Sequence, residues 1–161
     1  MTRVALGNGA AGVSAAFHQH LVDADIGGTS LFLDMQEKQA GRLLSLVSDY
    51  EGGAASGMLF ASQHLIDTDP AAIRTFVAAW IETIDYIRAH KAETVKIESG
   101  VTGFPESVMA KEYDLVLPMF TKACEFDAES LATLRRTFAE LNLVSPAPDM
   151  SKLYTKAFLP K

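Results

Sequence analysis

Between Asp69 and Ala89 the chain carries Ile73, Phe76, Val77, Trp80, Ile81, Ile84 and Ile87. Steps of three and four residues put all seven along one side of a helix. The start is written just as clearly. Asp69 supplies a side-chain cap, and Pro70 follows at the first helical position, where its missing N–H costs nothing. A stripe this broad has to be covered. Burying one large aliphatic or aromatic side chain is worth about 1.5–3 kcal/mol, so leaving several in water would use up much of a domain's net stability.

The residues that follow read as further helices. Pro105 opens one running through Met109 and Tyr113. Asp127 caps another, with Leu131, Leu134, Phe138 and Leu141 on its face, and Asp149 caps a short last one carrying Leu153 and Tyr154. The first part of the chain differs in character. Gly- and Ala-rich turns separate short apolar runs at Arg3–Leu6, Ala24–Ile26, Leu43–Val47 and Met58–Ala61, each of which reads as a strand. Two helices are expected there, over Ala10–His20 and Leu31–Lys38. The division falls near Ser62, giving a segment 1–62 of mixed strands and helices and a helical segment 63–161.

Composition narrows the function. The chain has 161 residues, 48% of them apolar, which is globular material for one ordinary domain. A formal net charge of -6 leaves no basic face for phosphates, so no nucleic-acid partner is expected. The single Cys124 excludes an internal disulfide and any Cys-rich zinc or iron–sulfur site. The opening residues MTRVALGNG carry no basic-then-apolar export signal.

Gly7, Gly9 and Gly12 form Gly-x-Gly-x-x-Gly after a strand candidate and before a helix, the context of a dinucleotide fingerprint. Asp34 stands in for its ribose-binding acid but lies further on than the roughly 20 residues that motif uses. Too few strands follow to build the domain. The turn has a simpler use: glycines let backbone approach a ligand, and free N–H groups at a helix start favour any small anion. A tight turn without a ligand is the alternative.

In order and spacing, most of the chain resembles the solute-binding proteins of nitrate/sulfonate/taurine-type ABC importers, whose relatives include thiamine-pyrimidine-precursor proteins. VALGNGAAGVSAAFHQHLVDADIGG is similar to a Gly-rich turn, Ala-rich helix and Val-Asp-Ala element of the second lobe. GRLLSLVSDYEGG is similar to the next strand. ASQHLIDTDPAAIRTFVAAWIETIDYIRAH resembles a return strand and long helix, and FDAESLATLRRTFAELNLVSPAPDMSKLYTKAFLP the C-terminal end. The resemblance implies an α/β fold: a partial type II periplasmic-binding-protein lobe followed by a helical half, the C-terminal portion of a two-lobed protein.

It further implies a non-enzymatic, cofactor-free capture protein for a small anionic or zwitterionic organic solute, passing it to an ABC permease on the periplasmic side. On that reading Asn8, Gly9 and Ala10 offer backbone N–H groups, the Asn8 amide orients the ligand, and Thr29 and Ser30 face them as hydroxyl donors. Asp23 is a cap or turn residue. The long apolar stripe, without the cover a first lobe would give, implies a homodimer. The rival reading is a short interaction protein with no transport role.

Other constellations are weaker. His18 and His20 point about 200° apart on a helix, so one ion cannot use both. Ser14 in Gly12-x-Ser14-x-Ala16 falls inside the helix, not on the sharp turn a nucleophile elbow needs. Cys124 has no histidine nearby in sequence, and one cysteine cannot supply the iron signature of pyrimidine synthases.

Overall fold

The computed structural model describes residue 5 and residues 9–50, 53, 57–146 and 148–160, with the side chains of Ala10 and Ser48 left aside. Seven α-helices run through these residues: α1 Ala10–His18, α2 Thr29–Glu37, α3 Gln63–Thr68, α4 Pro70–Ala89, α5 Lys91–Thr102, α6 Glu106–Val116 and α7 Ala128–Glu140. Short 3-10 turns occupy Val47–Asp49, Leu117–Met119 and Met150–Lys152.

Among the described residues there is no strand, and the expected α/β lobe is not formed. Of the strand candidate Arg3–Leu6, only Ala5 lies within the described residues. Ala24–Ile26 and Met58–Ala61 are irregular, with Ile26 93% and Phe60 87% exposed, and Leu43–Val47 leads into a 3-10 turn. The physical reason is non-local. A strand's N–H and C=O groups need a neighbouring strand, and a run of three to five residues in water gains nothing by extending alone.

Backbone proximity groups the chain into two compact units. The first comprises the described residues of Met1–Leu44 with His90–Met119, and the second those of Ser45–Ala89 with Phe120–Lys161.

In the first unit α6 is the central element, packed against α5 and α2, while α1 packs on α2. Val108 and Met109 are 0% and 1% exposed; around them Leu33, Met35, Val95 and Tyr113 are buried. Polar contacts tie the same helices together at their edges. Ser107 Oγ and Lys111 Nζ donate to the Glu37 carboxylate at 2.7 and 2.9 Å. Lys91 pairs with Asp114 at 2.5 Å and lies 5.3 Å from the Tyr113 ring centre. The turn between α5 and α6 is set by Gly103, whose φ of 78° is left-handed and whose N–H donates to Ser99 O at 2.9 Å. Among the described residues a Cβ there would meet no neighbour, so it is the backbone conformation that resists it. Gly103→Ala is therefore expected to cost about 1–2 kcal/mol, read as a lower urea midpoint at unchanged slope.

In the second unit the caps foreseen in the sequence are present. Asp69 Oδ1 accepts from Ala72 N at 3.0 Å, Asp127 Oδ2 from Ser130 N at 2.7 Å and Asp149 Oδ1 from Ser151 N at 3.1 Å. Ser62 caps α3 in the same way, accepting from Leu65 N at 3.2 Å. Along α4, Ile73, Val77 and Ile84 are buried, whereas Phe76 and Trp80, one turn apart, stay exposed. Arg74 on the same helix holds the C-terminal segment: it donates to Ala157 O and lies 5.3 Å from the Phe158 ring centre.

Candidate functional site

The Gly-rich turn ends at Gly9, the N-cap of α1, with extended backbone and no side-chain cap. Its carbonyl accepts from Gly12 N and Val13 N at 3.0 and 3.2 Å. The helix start carries no acidic residue in its first turn, and among the described residues a Cβ at Gly9 would meet nothing within 4 Å. Ala10 is the first residue of α1; Asn8 lies outside the described residues.

Thr29 and Ser30 begin α2 behind a second uncapped N-cap, Gly28. They are half-buried. Ser30 Oγ donates to Glu112 Oε1 at 2.8 Å, so its proton is already used within the fold. Thr29 makes no side-chain hydrogen bond among the described residues. The structure thus brings the starts of α1 and α2 into one unit, with α1 packed on α2. It also engages one of the two expected hydroxyls elsewhere. Asp23 is exposed in the bend after α1, in keeping with a turn residue.

Electrostatics around α6 were not legible beforehand. Partial burial pushes the Glu98 carboxyl up, and the nearby Glu112 charge adds to it. Glu37 is held below the usual carboxylate range by hydrogen bonds from Ser107 and Lys111. A carboxylate lowered in this way stabilises the fold above its ordinary range, and that contribution is lost as pH falls through the lowered value.

The remaining motifs resolve quietly. Asp34, the supposed ribose acid, is 4% exposed and its Oδ2 pairs with Lys38 Nζ at 2.7 Å. His18 and His20 are exposed, and among the described residues no three His, Cys, Asp or Glu side chains gather as a metal site. Ser14 lies within α1. Cys124 is half-buried, and burial pushes its thiol up, away from a reactive thiolate.

One concavity had no sequence signal at all. In the second unit, α7 and the segment after it enclose a shallow groove of about 340 Å³ lined by Phe126, Leu131, Arg135, Met150, Tyr154 and Lys156, among others. The Phe126 and Tyr154 rings lie 4.9 Å apart at 53°, a tilted aromatic pair. Leu131 and Arg135 share helical spacing on α7, but only the return of the chain after α7 brings Met150, Tyr154 and Lys156 to them.

Among the described residues no helix is long and apolar enough to cross a membrane. Compared with known proteins, the chain matches no family model, no curated protein and no solved structure.

Proposed function

We propose that this chain captures a small anionic or zwitterionic organic solute, such as a sulfonate, nitrate or a pyrimidine precursor, for delivery to an ABC permease. The observation that carries the reading is the order of segments in the second half. Helix starts at Pro70 and Ala128, and the short turn after Asp149, lie in the segments that resemble the long helix and the C-terminal end of solute-binding proteins, although the stretch likened to their return strand is helical over Gln63–Thr68. The reading does not use the α/β lobe, which the structure overturns. It takes capture without turnover as the activity and the periplasmic side as the location.

The ligand is assigned to the open turn at Gly9, where uncapped N–H groups and the positive end of α1 suit a small anion. Calorimetry against nitrate, alkyl sulfonates and amino-pyrimidines tests it. Free ligand at about 100 times its Kd should raise stability by about 2.7 kcal/mol. Stabilisation by NAD, or turnover of any of these compounds, would refute the reading. Gly9→Val is expected to abolish binding because a branched side chain blocks backbone approach. Since a Cβ at Gly9 meets no neighbour among the described residues, circular dichroism should show an unchanged helix content. Unchanged affinity in that variant would remove the site from this turn.

A second reading, a short interaction protein, is favoured by one observation: Phe76 and Trp80 expose an aromatic pair on α4. Both readings carry a homodimer, formed by covering that pair with a second copy. Light scattering at micromolar concentration should give twice the chain mass, and Trp80→Glu should halve it. A stable monomer of the unaltered chain would overturn the dimer.

A further inference from the structure

We infer that the groove on α7 is a separate binding site for a small aromatic monoanion, an aryl carboxylate or aryl sulfonate. The inference does not rest on the solute-capture reading, because the groove lies wholly in the second unit, whereas Gly9, Thr29 and Ser30 belong to the first.

Three features of the groove point to that chemistry. The first is charge. Among the described residues its lining holds two cations, Arg135 and Lys156, and no carboxylate, with Asp149 beside the lining close enough for its charge to interact with that of Arg135. Arg135 uses only Nε, donating to Pro148 O at 3.3 Å, so among the described residues its two Nη groups keep their donors for a ligand. A planar guanidinium presents those donors as a fork that matches a carboxylate or sulfonate edge. Among the described residues Lys156 is committed only to Glu125, at 3.5 Å on an exposed surface, a pair worth little and readily exchanged.

The second is the apolar wall. Phe126 and Tyr154 are half-buried and already tilted against each other, with Leu131 and Met150 in the same lining. A planar ring extends such a pair and gains stacking beyond the area it buries. The volume, about 340 Å³, falls at the small end of ligand sites and suits a single ring.

The third is the balance of charge. Glu125 stands beside Lys156, and Asp149 accepts from Ser151 Oγ at 2.7 Å and pairs with Lys152 at 3.6 Å. With Arg135, Lys152 and Lys156 against these two carboxylates the local excess is a single positive charge, which a monoanion neutralises.

Amide chemical-shift titration of the full chain with benzenesulfonate and benzoate tests the assignment, with acetate, benzyl alcohol and inorganic phosphate as partial ligands. Saturable shifts are expected at Phe126, Arg135 and Tyr154 with both aromatic acids, while the three partial ligands bind at least about tenfold more weakly. Arg135→Gln, at an exposed position, should weaken binding about tenfold or more through loss of a charge-assisted hydrogen bond. Tyr154→Leu should weaken the aromatic acids but leave acetate unchanged. Gly9→Val should leave every one of these affinities as it was, which separates failure here from failure of the turn. The inference is overturned if no shift saturates, if acetate matches benzoate, or if Arg135→Gln binds like the unaltered chain.

Discussion

Met109→Ala is expected to destabilise the first unit by about 2–5 kcal/mol, the range for truncating a fully buried Met or Leu. Met109 is 1% exposed on α6, and its Sδ accepts from Thr102 Oγ1 at 3.5 Å, so the side chain meets α5 as well as its own helix's neighbours. Removing it takes away transfer energy and leaves a cavity that Val108 and Val95 fill only by shifting packed backbone. A domain holds only about 5–15 kcal/mol in total, so the loss is severe. Amide hydrogen exchange is the right measurement because it reports on α2, α5 and α6 directly, without assuming that the whole chain unfolds in one step. Truncating Val101, exposed on α5, serves as the control and should change stability by less than about 0.5 kcal/mol. Equal protection in Met109→Ala and Val101→Ala would mean that α6 is not the centre of this unit.

The second large effect concerns the buried carboxylate of Asp34. Its Oδ2 accepts from Lys38 Nζ at 2.7 Å, and the two side chains are very unequally placed, Asp34 almost fully enclosed and Lys38 more than half exposed. Lys38→Met leaves an enclosed carboxylate without that partner, at an expected cost of about 1–3 kcal/mol. Water reaching the lysine's position keeps the cost below that of a fully interior pair. Replacing both residues, as Asp34→Leu with Lys38→Met, removes the charge together with its partner and should recover most of the loss. The double-mutant cycle measured by urea unfolding decides it: a double variant no better than the single one would show that Asp34 is held by something other than Lys38.

How much of this was legible depended on whether the signal was local. The caps at Asp69, Asp127 and Asp149 join a side chain to an N–H two or three residues away, and each is found as read. The stripe on α4 carries its period within one segment, and α1 and α2 also form close to their expected bounds. The strands failed because their stability depends on partners elsewhere, which no run of three to five residues can announce. Helix α5 was missed for a related reason. KAETVKIESGVT mixes β-branched and charged residues without a clear apolar face, and it is ordered chiefly by packing on α6. Its end was readable in principle, since Gly103 two residues before Pro105 is a helix stop. At the candidate site, the start of α1 directly after Gly9 could be read from the sequence, while Gly7 and Asn8 lie outside the described residues. That Glu112 takes the Ser30 hydroxyl could not, because the two lie 82 positions apart.

That separation also bears on how the chain is made. Helix α2 finishes at Glu37, yet α6, on which it packs, does not begin until Glu106. At about 5–20 residues per second a ribosome needs several seconds to supply the intervening chain. Throughout that interval α2 has α1 beside it but lacks α6, and completion of the unit waits on a long loop closure. The nascent chain therefore presents the α6-facing side of α2 to solvent and to any holdase before α6 arrives, and the first unit assembles late although it holds the earliest residues.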